Sequence, residues 1–124
     1  MKKFNYPKGR FGEEIAERFL VRKGLRIVEK NWRSRFGEVD LICAEGDTLV
    51  FVEVKMKVGE EFGTPEEMVD GRKLWQVRRI AELYLLNNPE VSGKYPRQRI
   101  DVVAIVTGQD GGEERISHYE NIEL

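Results

Sequence analysis

The sequence predicts an α/β domain with a mixed central sheet flanked by helices, and three observations carry that prediction. An apolar stripe with helical spacing opens the chain, two β-branched runs follow around a short turn, and a second helical stripe precedes two further strands. With 124 residues and 14.4 kDa, the chain has the size of one domain, 1–124, able to bury a core without disulfide or metal. Hydrophobic residues make up 40% and charged residues 35%, too apolar a mixture for a disordered chain.

Residues 11–23 read as the first helix, with Phe11, Ile15 and Phe19 on one stripe, Ala16 and Leu20 beside it, and Gly24 as the stop. Residues 26–32 form a short strand held by Ile27, Val28 and Trp32, and Ser34-Arg35-Phe36-Gly37 turns. Residues 38–44 and 49–56 make a hairpin around Gly46-Asp47. Thr64-Pro65-Glu66-Glu67 is a capping-box helix start. That helix is interrupted at Asp70-Gly71, resumes with Leu74, Val77, Ala81, Tyr84 and Leu85 inward, and ends at Asn88-Pro89. Residues 99–106 and 115–119 complete the strands.

Several functional classes are excluded early. No apolar run approaches the ~20 residues of a membrane helix. Met1-Lys2-Lys3 is followed by no signal-peptide core. One cysteine, Cys43, rules out an internal disulfide and a cysteine-rich zinc site, so the expected compartment is the cytoplasm. The net charge of −1 hides an asymmetry: residues 1–35 hold 11 Lys/Arg against 4 Asp/Glu, and the remainder 10 against 18. A basic segment suits a polyanion, although charge runs more often solvate a helix face.

The hairpin holds the chemistry. In its second strand Val50, Val52, Val54 and Met56 point to one face, and Leu49, Phe51, Glu53 and Lys55 to the other; in the first, Glu38, Asp40 and Ile42 share a face, opposite Val39, Leu41 and Cys43. A turn at Gly46-Asp47 sets Asp40 opposite Glu53, and Glu38 opposite Lys55. Two carboxylates so placed call for a divalent cation or a shared proton. A register slip or a bulge breaks this inference. The plain alternative is a solvated face with a Glu38–Lys55 ion pair. Glu13 borders the inner stripe of the first helix, or simply complements the helix dipole. Trp75 reads as packing, Cys43 as core, and His118 as an unpartnered histidine.

Asp40 followed by Glu53-Val54-Lys55 resembles the signature of the PD-(D/E)XK nuclease superfamily. Lys8-Gly9-Arg10-Phe11-Gly12-Glu13 resembles the first-helix motif of its archaeal Holliday-junction resolvases. The ordered set Gly9–Ala16, Asn31-Trp32-Arg33, Gly37–Ile42, Phe51–Lys55, Lys73 and Arg99–Val103 is similar to the YraN-like bacterial family, assigned to that superfamily. Val39 stands where the superfamily's naming proline does, and Lys57 where the YraN-like pattern often has arginine.

The resemblance implies a restriction-endonuclease-like core and hydrolysis of DNA phosphodiesters, on branched or damaged DNA in repair or recombination. It implies Mg²⁺ or Mn²⁺ on Asp40, Glu53 and the Val54 carbonyl. Lys55 is then the residue at the attacking water, and Glu13 supports the metal. Glu38 is either an outer ligand or a partner of Lys55. Arg10, Arg33, Arg35, Lys57 and Lys73 are candidate phosphate contacts, and a homodimer is implied by analogy with the resolvases. Two competing readings are a nucleic-acid-binding module that has lost catalysis and a protein-interaction domain with a salt-bridged hairpin.

Overall fold

A computed structural model describes the backbone of residues 8–59, 71–108 and 114–122. The elements run α1 (Lys8–Arg22), β1 (Arg26–Ser34), β2 (Gly37–Glu45), β3 (Thr48–Val58), α2 (Gly71–Asn87), α3 (Pro89–Lys94), β4 (Arg97–Thr107) and β5 (Glu114–Tyr119). The sheet order is β1-β2-β3-β4-β5. Only β3 and β4 pair in parallel, because the chain between them crosses over through α2; the other pairs are antiparallel. The mixed sheet predicted from the sequence is therefore present. α3 is an addition: Pro89 closes α2 and also fits the first turn of a new helix. The expected helix start at Thr64 lies outside the described residues.

The β2–β3 turn shows how local sequence sets register. Gly46 adopts φ of +61°, while Asp47 is absent from the positive-φ residues, the pattern of a turn with glycine at its first central position. Glu45 then pairs with Thr48, and the ladder runs on to Leu41 against Val52.

Alternation along these strands divides the core. Leu41, Cys43, Val50 and Val52 pack with Ile15, Ala16 and Leu20 of α1. Ile42, Ala44, Leu49 and Phe51 pack with Val77, Ile80, Ala81 and Tyr84 of α2. The helices thus cover opposite faces. Cys43 is fully buried, and burial pushes its thiol up to about 12, so it acts as packing.

One face assignment from the sequence is wrong. Val39 packs with the α2 cluster, not with Leu41 and Cys43. Ile42 likewise faces α2, whereas Glu38 and Asp40 gather with Glu13 of α1. The alternation resets between Asp40 and Leu41, beside Asn31 of β1, whose φ of +53° is left-handed. A left-handed residue departs from strand geometry and disturbs the alternation across the ladder, although the register shift of β1 itself lies between Ile27 and Glu29. No helix among the described residues is long and apolar enough to cross a membrane.

Candidate metal centre at the β2–β3 fork

Beyond Leu41 and Val52 the two hairpin strands part. β2 continues along β1 to Gly37 against Ser34, and β3 continues along β4 to Val58 against Thr107. Asp40 and Glu53 sit where they separate. If the ladder continued, Val54 would face Val39; instead the Val54 N–H donates to Asp40 Oδ2 at 2.8 Å. The expected direct opposition of Asp40 to Glu53, and of Glu38 to Lys55, is thus replaced by a fork in which a carboxylate satisfies the freed backbone donor.

Three carboxylates collect on the α1 side. Glu13, Glu38 and Asp40, all half-buried, each place an oxygen within 4.8 Å of the others. Glu13 Oε1 accepts from the Asn31 side-chain amide at 2.8 Å, so the left-handed Asn31 holds one of these carboxylates in place. Sequence reasoning missed Asn31 as a site residue. Its signal was a poor strand former inside a strand, of a type that tolerates left-handed backbone. Glu38 lies 3.9 Å from Arg33, an exposed ion pair, and not against Lys55.

Glu53, close enough for its charge to act on Asp40, is engaged by two lysines. It is 4% exposed, and its Oε2 lies 3.6 Å from Lys55 Nζ and 3.9 Å from Lys73 Nζ at the start of α2. Its Oε1 is buried with no hydrogen-bond partner among the described residues. A buried carboxylate oxygen without a partner is costly and unusual.

The electrostatics agree. Burial pushes the Asp40 carboxyl up to about 8, helped by the Glu53 charge; the Val54 N–H pulls it down, and Glu13 raises it both by its charge and by a hydrogen bond. Burial raises Glu53 too, against the downward pull of Lys73 and Lys55. These groups resist ionising together, and a hard divalent cation is the partner that relieves them. The donor set fits such an ion: carboxylate oxygens, mutual repulsion, and an orphaned buried oxygen on Glu53.

The other predicted positions surround the fork. Val54 is half-buried at the margin of the α1-side core. Lys57 is exposed on β3, in alternation with Glu53 and Lys55. Arg35 lies over the Phe36 ring at 5.2 Å. Arg10 is in α1, its side chain outside the described residues. Trp75, expected to pack, is 53% exposed on α2, because the buried face of that helix is carried by Leu74, Val77, Ile80, Ala81 and Tyr84.

Away from the fork, Asp101 is fully buried. Arg99 Nε donates to it at 3.0 Å, the Asn121 N–H at 2.9 Å, and His118 Nε2 lies at 2.8 Å. Lys23 Nζ, which can only donate, contacts His118 Nδ1 at 2.7 Å, leaving Nε2 to donate to Asp101. His118 thus has the partners that its isolation in the sequence concealed.

The signature of the uncharacterised protein family UPF0102 matches residues 12–105. The chain belongs to the UPF0102 family. A UPF0102 protein of Rhodococcus opacus is 47% identical over 114 residues, covering 92% of this chain and 93% of its own length. One from Pelotomaculum thermopropionicum is 42% identical, covering 91% of this chain and 92% of its own. One from Persephonella marina is 41% identical over 83% of this chain and 86% of its own. The matched span includes Glu13, Glu38, Asp40, Glu53, Lys55 and Lys73, so the whole fork lies within the part that defines this UPF0102 protein as a member. His118 lies beyond that span.

Proposed function

We propose that this UPF0102 protein is a metal-dependent endonuclease of the PD-(D/E)XK superfamily that hydrolyses DNA phosphodiester bonds. The observation that carries the reading is the fork. A buried Glu53 with an unpartnered oxygen and a raised Asp40 meet there, beside the ammonium groups of Lys55 and Lys73. The element order, with Asp40 and Glu53-Val54-Lys55 on the hairpin and a parallel β4 after α2, supports a restriction-endonuclease-like core. Branched or damaged DNA, a homodimer cutting two strands, and a cytoplasmic setting belong to the same reading.

Asp40 and Glu53 would hold Mg²⁺ or Mn²⁺, with Glu13 and Glu38 as supporting carboxylates. Such an ion, when bound, lowers the pKa of water and polarises the phosphoryl group. Lys55 places positive charge beside the reacting centre, where it steadies charge developing on the phosphate and orients the attacking water. Lys73 supplies a second positive group from α2. Hydrolysis would leave a 5′-phosphate.

Cleavage of single-stranded, duplex, flap and four-way-junction DNA, compared in Mg²⁺, Mn²⁺ and EDTA, tests the reading. The expected result is cutting that needs metal and falls by at least about 100-fold in Lys55→Ala purified identically. Equal cutting by both proteins would reveal a contaminant and remove the support. No cutting, with DNA retained in a low-salt gel shift, would leave a binding module of the same fold.

A further inference from the structure

Beside the fork lies a surface that the proposed chemistry does not use. The turn between β1 and β2 folds against the outer side of α2, where Gln76 Nε2 donates to the Phe36 carbonyl. Gly37, at φ of +129°, takes a backbone conformation that residues with a Cβ rarely adopt, and a Cβ there would also stand 3.3 Å from Ile80 Cδ1. The docked turn presents Phe36 at 42% exposure beside Trp75 at 53%. The Arg79 guanidinium lies 5.9 Å from the Phe36 ring and 5.1 Å from the Trp75 ring, with Arg35 also over Phe36.

The placement matters as much as the composition. Lys73, two residues before Trp75, reaches Glu53 at 3.9 Å, and Glu38, just after Gly37, belongs to the carboxylate cluster. The aromatic patch therefore adjoins the fork through both of its elements. From Gly71 to Ala81, α2 carries Arg72, Lys73, Arg78 and Arg79 and no acidic residue. Large aromatic surface left in water among arginines suits a partner that brings flat rings together with negative charge.

We infer that the β1–β2 turn and the outer face of α2 form a seat for single-stranded DNA, unpaired bases stacking on Phe36 and Trp75 and phosphates meeting Arg35 and Arg79. In a duplex the base faces are stacked on one another; only an unpaired strand offers them to a side-chain ring. Flat bases take on these rings the kind of position the guanidinium of Arg79 already holds. As to substrate, the inference rests on the nuclease reading; as to the seat itself, it rests on the aromatic and arginine geometry alone. It narrows that reading to substrates with an unpaired stretch next to the scissile bond.

The test separates binding from cleavage. Anisotropy of a labelled oligothymidylate of about 20 nucleotides, and of a duplex of equal length, is measured in EDTA with wild type, Phe36→Ala, Trp75→Ala and Trp75→Phe. Thermal melts confirm that each variant is folded. The expected result is quenched tryptophan emission on binding oligothymidylate, and about 5- to 100-fold weaker single-strand binding in each alanine variant. Trp75→Phe should restore binding, with duplex binding unchanged throughout. Alanine variants that bind oligothymidylate like wild type overturn the seat, as does a wild type that binds neither DNA. Tighter binding of oligouridylate than of oligothymidylate overturns the assignment to DNA. Metal-dependent cleavage, scored separately, judges the nuclease reading. Cutting that is indifferent to Phe36 and Trp75 overturns the narrowing to substrates with an unpaired stretch, whereas ring-dependent binding without any cutting refutes the nuclease alone.

Discussion

Asp40 is held by one strong local contact against several unfavourable ones. Its Oδ2 accepts the Val54 N–H, while burial and the Glu53 and Glu13 charges disfavour ionisation. Asp40→Asn retains an acceptor for that N–H and removes a charge. The metal-free variant is therefore expected to be as stable as wild type near pH 8, or more stable by about 1 kcal/mol, and to lose the rise in Tm that Mg²⁺ or Mn²⁺ produces. Thermal melts with and without metal check both halves. A variant destabilised by about 2 kcal/mol or more would mean that Asp40 serves mainly as a structural brace. Asparagine at residue 31 was legible only as an oddity, because its role depends on Glu13, which α1 brings across from 18 positions away.

At the scale of elements, the molecule depends on two junctions of different character. The fork is unsettled and suited to a ligand. The Asp101 junction is satisfied: its carboxylate accepts from Arg99 of β4, from His118 of β5 and from the Asn121 N–H, and Lys23 beyond α1 closes the chain through His118. Burial alone would raise the Asp101 carboxyl, but these donors together hold it below the ordinary carboxylate range. Asp101→Asn removes the charge and turns an N–H₂ group towards at least one donor. The expected cost is about 2–4 kcal/mol, read as a lower urea midpoint with an unchanged slope. A loss under about 0.5 kcal/mol would show that β5 is held by the sheet ladder alone.

The pH dependence belongs to the whole molecule. The folded-state carboxyls of Asp40 and Glu53 are raised, so the stability they confer is present at pH below their unfolded values near 4. It is lost as pH rises through the folded values, for Asp40 at about 8. The metal-free protein is thus expected to melt a few degrees higher near pH 5 than near pH 8.5. Divalent metal should reverse the order, since it binds the ionised carboxylates and its affinity rises with pH. Below about pH 4 the Asp101 junction acts with the opposite sign, its lowered carboxyl contributing stability that acid removes. Melting curves in EDTA and in Mn²⁺ across this range decide the matter; a flat profile in both would count against two strained carboxyls. The basic segment 1–35 also looks different in three dimensions. Lys23 pairs with Glu120, Lys30 with Glu17 and Arg33 with Glu38, so part of its charge is engaged within the fold. Such exposed pairs are weak and can exchange for phosphates.

Periodicity and turn chemistry, which are local, determined the two long helices, the strands, the hairpin register from Glu45 to Leu41 and most of the apolar core, but not α3, and not Phe11, which the helical stripe placed inward and which is 38% exposed. Ordered residue patterns also brought out Asp40, Glu53 and Lys55. Only the tertiary structure decided that β2 and β3 part at Asp40, that Val39 turns to α2, that Glu13 and Glu38 join Asp40 while Lys55 and Lys73 claim Glu53, and that Trp75 stays in water. The reason is physical. Alternation predicts faces only while a ladder is regular, and here the ladder yields to a left-handed Asn31 and to a carboxylate that takes a backbone hydrogen bond. Both events rest on partners distant in sequence, which no local pattern encodes.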